Sequence, residues 1–337
     1  MGAIVTCGAQ WGSEGKGKLS LYLSRKFNAK ASVRVGGPNS GHTVIGPDGQ
    51  THVLRMLPSA CVDPDVIAVI PAGACIDVEI LRSEIYELGL GPGRLAISPY
   101  AGIIDRSHVY AEREMGLPDR IGSTGSGTGA CVMSRIRRDA GFRTAAAVPE
   151  LERYLRDTTA YMRSLLDGGA HIVIEGTQGY GLSLYQSPWW PYVTSRDATA
   201  AQFVAEAGLS PRDVSHVAMA VRTYPIRVGG ESGPLPRETT WEEVTELAGS
   251  ATPIREYTSV THRLRRVARF DPDVVARAVR ANAPDIIAVN FMDYIHDPSV
   301  HEKSIGPERR AFLDWLERDT GAKASLAGFG PDSLVTA

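Results

Sequence analysis

The sequence contains little cysteine and no excess of charge of either sign. Its 337 residues include four cysteines, and their spacing shows neither a disulfide framework nor a zinc site. The formal net charge of −2 excludes the basic surface that duplex nucleic acid requires. No apolar run reaches membrane-spanning length, and a strand pattern begins directly after the first residues. We therefore expect a cytoplasmic protein with reduced thiols, no signal peptide, no membrane contact and no nucleic-acid partner.

The remaining composition is that of a large globular domain, with 43% apolar residues. Apolar strand patterns alternate with helical patterns, which predicts an α/β fold whose mostly parallel central sheet has helices on both faces and long active-site loops. No linker divides the chain, so we predict a single domain over residues 1–337. The predicted strands are Ala3–Cys7, Ala31–Val35, Val66–Pro71, Leu95–Ser98, His171–Glu175, Val217–Thr223, Asp285–Phe291 and Ala324–Ala327. The predicted helices are Lys16–Asn28, Glu79–Leu88, Glu150–Leu166, Ala198–Ala207, Trp241–Leu247, Pro272–Ala281 and Glu308–Thr320.

The segment from Gly8 to Lys18 carries the strongest functional signal. It joins the first predicted strand to the first predicted helix through a glycine-rich turn that contains lysines. Backbone amides, a helix N-terminus and a lysine together form a phosphate site. The spacing differs from Gly-x-x-x-x-Gly-Lys-Ser/Thr, because Leu19 stands where that motif needs a hydroxyl. A phosphate site of a different kind is therefore predicted.

Further loops rich in glycine, serine and threonine interrupt the alternation at 36–50, 121–130, 176–197 and 228–239. In parallel sheets, loops at the carboxyl ends of the strands bind ligands. The run 122–129 offers amides and hydroxyls suited to an anion. The run 259–266 is dense in arginine, whose guanidinium groups are bidentate donors to anions.

Together these segments resemble the adenylosuccinate synthetase family. The first is similar to the family's Gly-x-Gln-Trp-Gly-Asp-Glu-Gly-Lys-Gly-Lys, with Ser13 at the position of the aspartate. That aspartate is the family's catalytic base and a magnesium ligand. Serine at this position marks a phage branch of the same fold, which condenses dGMP with aspartate on the route to 2-aminoadenine DNA. The resemblance implies a ligase in a cytoplasm, that of the host if a phage encodes the chain.

The resemblance also implies roles for individual residues. Ser13 and His42 are the implied catalytic residues, and Ser13 and Gly41 the implied ligands of Mg²⁺. The implied site for the nucleoside triphosphate is Gly12, Ser13, Glu14, Gly15, Lys16, Gly17, Lys18, Gly41, His42, Thr43, Arg265, Asn290, Phe291, Asp293, Gly328, Phe329 and Gly330. The implied dGMP site is Ser13, Asn39, Ser123, Thr124, Arg138, Gln178, Thr194, Val228 and Arg263. The implied aspartate site is Ser259, Val260, Thr261, His262, Arg263 and Arg265.

Departures from the family pattern bear on the donor and on assembly. The family recognises guanine through the sequence Thr-Lys-x-Asp. In this chain Phe291 replaces the lysine, and Asp293 is retained. We therefore expect ATP or dATP as the donor rather than GTP. His262 stands where the family has glycine. One family arginine reaches across a dimer interface to the nucleotide phosphate, which implies a homodimer in which Arg138, or alternatively Arg137, has this role.

Two other functions remain open. The chain could be an ordinary adenylosuccinate synthetase that acts on IMP with GTP. It could also be a nucleotide-binding regulator that lost catalysis together with the aspartate. The presence of His42, Lys16 and the arginine-rich loop favours an enzyme, because a regulator would not need an aspartate site.

Overall fold

The computed structural model describes residues 2–258, 262–300 and 303–337. The strands, in chain order, are β1 Ala3–Gly8, β2 Ala31–Arg34, β3 His42–Ile45, β4 Thr51–Leu54, β5 Ile67–Ile70, β6 Cys75–Ile76, β7 Leu95–Ile97, β8 Gly102–Ile103, β9 Ile172–Glu175, β10 Val214–Arg222, β11 Ile226–Arg227, β12 Glu238–Thr239, β13 Arg266–Ala268, β14 Ile286–Asn290, β15 Leu326–Phe329 and β16 Ser333–Thr336. The α-helices are α1 Lys16–Lys26, α2 Val78–Glu87, α3 Arg106–Glu114, α4 Leu117–Ile121, α5 Thr128–Arg137, α6 Thr158–Asp167, α7 Ala200–Ala207, α8 Trp241–Leu247, α9 Pro272–Asn282 and α10 Pro307–Thr320.

The central sheet has nine strands in the order β16-β15-β14-β10-β1-β9-β2-β5-β7. All neighbouring pairs are parallel except β15 and β16. The eight strands predicted from the sequence all lie in this sheet, and only the antiparallel edge strand β16 was not predicted. The mostly parallel α/β architecture is therefore confirmed.

Strand β1 lies in the middle of the sheet and is covered on both faces. Val5 belongs to a core cluster that includes Phe203 of α7 and Val275 of α9. Ile4, which points to the opposite face, packs with Leu19 and other residues of α1. Alternate residues of a strand point to opposite faces, so a strand buried on both faces reads as a continuous apolar run.

Four predictions about local structure were wrong, one of them the loop 228–239, which contains β12. The predicted helix Glu150–Leu166 is divided into a 3₁₀ turn over Pro149–Tyr154 and helix α6. The division occurs because Asp157 starts a new helix, its side chain accepting a hydrogen bond from the Ala160 amide. The predicted loop 36–50 contains β3, which forms an antiparallel hairpin with β4. The predicted loop 121–130 gives way to α5 at Thr128, and helices α3 and α4 were not predicted.

All four cysteines are free and buried. Within the described residues, no helix has both the length and the apolar character needed to cross a bilayer.

Glu84 on helix α2 holds the β3–β4 hairpin against the sheet. Its buried carboxylate accepts hydrogen bonds from the amides of Arg55, Met56 and Leu57, which directly follow β4. Burial raises the pKa of Glu84, and the amide hydrogen bonds oppose that rise. Because this hairpin begins at His42, Glu84 also contributes to the position of that histidine.

We expect Glu84→Ala to lower the free energy of unfolding by about 1–3 kcal/mol or more, because it leaves buried amides without acceptors. Glu79→Ala is the matched control, since Glu79 lies on the same helix with 82% of its side chain exposed and an ion pair that contributes little. Denaturant unfolding of both variants is the measurement. Equal stabilities of the two variants would contradict the role of Glu84.

Candidate active site

A cavity of about 330 Å³ opens where the loops that follow β1, β2 and β9 meet. The side chains and backbone of these loops come together because the three strands are neighbours in the parallel sheet and end at the same edge. Twelve residues predicted to bind substrates line it: Gly12, Ser13, Lys16, Asn39, Gly41, His42, Ser123, Thr124, Gln178, Val228, Arg263 and Arg265.

The cavity wall is strongly cationic. Lys16, Arg113, Arg227, Arg263 and Arg265 line it, and no aspartate or glutamate does so among the described residues. Concentrated positive charge in a cleft attracts anions. The wall therefore suits ligands that bring phosphates and carboxylates of their own.

The turn between β1 and α1 is tightened by a buried glutamate. The Glu14 carboxylate accepts hydrogen bonds from the amides of Gln10 (3.1 Å) and Gly12 (2.8 Å) and from Lys16 Nζ (2.7 Å). Its side chain is fully buried and does not line the cavity. Glu14 therefore shapes the phosphate-binding turn from behind, and Lys16 is the charged residue of this turn that reaches the cavity.

Ser13 projects from this turn and is held by two arginines. It has a positive φ of 56°, and its hydroxyl accepts a hydrogen bond from Arg265 Nη1. Its carbonyl accepts another from Arg222 Nη1 at 3.1 Å. Arg222 is fully buried and forms an ion pair with Glu256. Ser13 is thus a small neutral residue between two guanidinium groups, and Arg265 already uses one lone pair of its hydroxyl oxygen.

His42 begins β3 and lines the cavity, but one edge of its ring is buried. Glu175 Oε1 lies 2.7 Å from His42 Nδ1 and 2.7 Å from Arg34 Nη1. Burial and the charge of Arg34 lower the pKa of His42 to about 4. Burial opposes ionisation of Glu175, yet the charges of His42 and Arg34 lower its pKa to about 2. Glu175 is therefore an ionised acceptor at neutral pH.

The glycine-rich run 122–129 is only partly available to an anion. The Glu112 carboxylate accepts hydrogen bonds from the amides of Gly127 (2.9 Å), Gly129 (2.7 Å) and Ala130 (3.3 Å) at the start of α5. The amides at the helix N-terminus are therefore not free for an anion, because this internal carboxylate occupies them. The part that lines the cavity is Gly122–Gly125.

The predicted donor residues meet at the other side of the β1–α1 turn. Asn290 Nδ2 donates to the Glu14 carbonyl (2.7 Å), and the Gly330 amide donates to Asp293 Oδ1 (3.2 Å). Lys18 Nζ donates to the Gly330 carbonyl (2.9 Å). Burial lowers the pKa of Lys18 to about 8. These contacts join the C-terminal segment to the phosphate-binding turn, although none of these residues lines the cavity.

Phe291 and Phe329 differ in what they can offer a ligand. The Arg222 guanidinium lies 3.9 Å from the centre of the Phe291 ring. The backbone of Phe291 has a positive φ of 62°. Phe329 is 1% exposed and therefore offers a ligand no accessible ring. Gly15, Gly17, Thr43 and Gly328 also lie outside the cavity lining.

The remaining predicted residues are more dispersed. Arg138 ends α5 with a φ of 59°, is exposed and does not line the cavity of its own chain. The Thr194 amide donates to the carbonyl of Leu182, a residue of the cavity wall. His262 adopts a φ of 49°. The predictions for Ser259, Val260 and Thr261 fall outside the described residues.

Several residues of the site were not predicted. Arg113 and Arg227 line the cavity, while Arg34, Glu175 and Arg222 support it from beneath. The sequence did contain a signal for Arg34, Glu175 and Arg222, since each is a charged residue inside or at the end of an apolar strand. A buried charge of this kind must find a partner. Nothing in the sequence pattern distinguished Arg113 from an ordinary solvated residue.

Comparison with known proteins agrees with this geometry. The sequence profile of the adenylosuccinate synthetase family matches residues 5–148 and 141–300. The chain belongs to the adenylosuccinate synthetase family. Adenylosuccinate synthetase of Methanococcus vannielii is 35% identical over 345 residues, which cover 100% of this chain and 98% of that protein. The chain is therefore a carbon–nitrogen ligase that uses aspartate.

Two solved structures share the fold. Succinoaminodeoxyadenylate synthetase of cyanophage S-2L, bound to dGMP and to dATP as an energy donor, matches with a TM-score of 0.84 and 29% identity, covering 99% of this chain and 95% of that one. Fully ligated adenylosuccinate synthetase from Plasmodium falciparum matches with a TM-score of 0.85 and 20% identity, covering 100% of both chains. The second likeness concerns the fold alone.

We expect Arg113→Ala to raise KM for the purine mononucleotide by about ten- to a hundredfold, with little change in kcat. The reason is the loss of one charge-assisted hydrogen bond to phosphate, worth about 1.5–3 kcal/mol. Arg106→Ala is the control, because Arg106 starts the same helix but does not line the cavity. Steady-state kinetics of both variants measures this change in KM. An unchanged KM in Arg113→Ala would show that Arg113 does not bind the nucleotide.

Proposed function

We propose that this ligase joins dGMP to L-aspartate at the expense of ATP or dATP and forms N6-succino-2-amino-2′-deoxyadenylate. The observation that carries the proposal is Ser13. It replaces the family's aspartate at a cavity wall on which no described residue is acidic. The likeness to the cyanophage enzyme bound to dGMP and dATP supports the same assignment.

The chemistry of the two purines explains why this position matters. Guanine differs from hypoxanthine by a 2-amino group, which donates hydrogen bonds and needs space. Serine is smaller than aspartate and carries no charge, and its hydroxyl has two acceptor lone pairs and one proton. Arg265 uses one of those lone pairs, so the second can accept from the 2-amino group. A hydroxyl cannot replace the carboxylate as a base at neutral pH.

The reaction would proceed in two steps. The γ-phosphoryl group passes from the triphosphate to purine O6, which releases the nucleoside diphosphate, while the N1 proton passes to water. The aspartate amine then attacks C6, phosphate leaves from C6, and the amine loses a proton to water. Lys16 and the turn amides that Glu14 does not occupy would hold the phosphates, and His42 would hold a proton at the transferred phosphoryl group. Burial and Arg34 lower the pKa of His42, and an anionic phosphoryl group beside the ring would raise it.

The residues present fit a magnesium ion. Gly41 offers a carbonyl oxygen at the cavity, and Mg²⁺ on a nucleotide takes most of its ligands from phosphates and water. The Ser13 hydroxyl is left out of this set, because Arg265 and the 2-amino group use its two lone pairs. When bound, Mg²⁺ would neutralise charge on the phosphoryl oxygens.

The donor proposal rests on Phe291. The Phe291 ring, which stacks on the Arg222 guanidinium, stands in place of the family's lysine. The aliphatic stem and the positive charge with which that lysine contacts guanine are therefore absent. Asp293 keeps the position of the family's guanine-reading carboxylate, but the Gly330 amide already donates to it. Both features favour ATP or dATP over GTP.

A second candidate is an adenylosuccinate synthetase that acts on IMP with GTP. The identity of 35% to the Methanococcus vannielii enzyme over the whole chain favours it. The third alternative, a regulator without catalysis, would leave the aspartate site unused.

We expect wild type to have a kcat/KM for dGMP at least about tenfold above that for IMP. The 2-amino group of dGMP can donate to Ser13, whereas IMP has no such donor, and a polar contact missing from an enclosed complex costs about 1–3 kcal/mol. Ser13→Asp should move the ratio toward IMP, since a carboxylate crowds the 2-amino group and restores a base near N1. Ser126→Asp is the control, because Ser126 lies outside the cavity lining. Kinetics on both nucleotides with aspartate, ATP and Mg²⁺ is the measurement. A wild-type preference for IMP would favour the second candidate, and no turnover with any triphosphate would favour the regulator.

We also propose that the active form is a homodimer in which Arg138 completes the neighbouring phosphate site. Its exposure at the end of α5, outside the cavity of its own chain, supports this role. Mixing Arg138→Leu subunits with Lys16→Ala subunits should restore about a quarter of the wild-type sites. About half of random dimers are hybrids, and each hybrid has one intact site, in which the Arg138→Leu subunit supplies Lys16 and the other subunit supplies Arg138. Subunit exchange is verified with two affinity tags. Exchange without recovery would remove Arg138 from the partner site.

A further inference from the structure

A buried cluster lies behind His42 and does not reach the cavity. Arg34 and Glu175 have side chains that are 1% and 0% exposed, whereas His42 is 7% exposed and lines the cavity. Arg34 and Glu175 are direct neighbours in the register of β2 and β9. The strand pairing thus places an ion pair under the ring of the histidine that is proposed to act on the phosphoryl group.

The Glu175 carboxylate is fixed from several directions. Its Oε1 accepts from Arg34 Nη1 at 2.7 Å and from the Ser59 hydroxyl at 3.1 Å. Its Oε2 accepts from the Ser59 amide at 2.9 Å. The same Oε1 lies 2.7 Å from His42 Nδ1. A carboxylate held in this way offers a rigid acceptor at one edge of the imidazole.

Arg34 competes for the same ring nitrogen. Its Nη1 lies 2.6 Å from His42 Nδ1, and a guanidinium can only donate. Contact with Glu175 therefore requires a proton on Nδ1, and a hydrogen bond from Arg34 requires a bare Nδ1. A buried carboxylate next to a histidine normally selects the Nδ1–H form and fixes the orientation of the ring.

We propose that Glu175 is a positioning residue that accepts the Nδ1 proton of His42 and thereby directs Nε2 toward the transferred phosphoryl group. This inference rests on the proposed role of His42 in the reaction. Arg34 and Ser59 hold Glu175 in place, so the cluster acts on the reaction through one histidine ring.

The first test is kinetic. Glu175→Gln should lower kcat by about ten- to a hundredfold, the usual effect of removing the outer partner of a functional histidine. KM for dGMP should stay within a few-fold of wild type, because Glu175 does not line the cavity. Glu87→Gln is the matched control, since Glu87 likewise contacts a histidine, His52, and neither residue lines the cavity. In a His42→Asn background, Glu175→Gln should cause no further loss, and additive losses would overturn the proposal.

The second test does not depend on turnover. Nitrogen NMR of wild type labelled with ¹⁵N-histidine reports which ring nitrogen carries the proton, and His42→Asn identifies the signal among the eight histidines. We expect the Nδ1–H form at neutral pH. The Nε2–H form would make Arg34 the partner and would refute the role of Glu175. If neither nucleotide is turned over, the proposed function fails while this spectrum still decides the position of the proton.

Discussion

The buried carboxylate of Glu14 is the contact on which the nucleotide site depends. It closes the turn after β1 by accepting from the amides of Gln10 and Gly12, and it neutralises the Lys16 ammonium. A side chain at Gly8 would lie 2.5 Å from a Glu14 oxygen, so that glycine leaves room for the carboxylate. Without this internal anion, two amides and an ammonium group would be buried together as unpaired donors.

The same arrangement recurs around the cavity. Three buried glutamates lie behind the cavity wall. Glu14 accepts from the phosphate-binding turn, Glu112 accepts from the start of α5 next to the loop that lines the cavity, and Glu175 contacts the ring of His42. Acidic groups thus lie one layer behind the surface, and cations face the ligand. Buried charges persist only when they are paired, and here the pairs also set the loop geometry. The residues in this layer are Glu14, Glu112 and Glu175.

The sequence predicted the sheet well and its insertions poorly. Buried parallel strands read as apolar runs, which explains why eight strands of the central sheet were recognised. Strands β3 and β4 are exposed on one side and lie in a polar segment, so their pattern resembled a loop. Helix α3 buries only Glu112, a residue that no apolar periodicity could reveal. The break at Asp157 depended on a side-chain cap inside a helical pattern.

The sequence by itself determined the family, the phosphate-binding turn and the residue types at the cavity, because these are encoded in contiguous motifs. Ser13 could be singled out in the same way, as a single change within a motif. Only the tertiary structure decided which charges face the ligand and which support them. Arg34 and Glu175 are 141 residues apart in the chain and meet through strand pairing. Contacts of this kind arise from the packing of the sheet, and no local pattern can specify them.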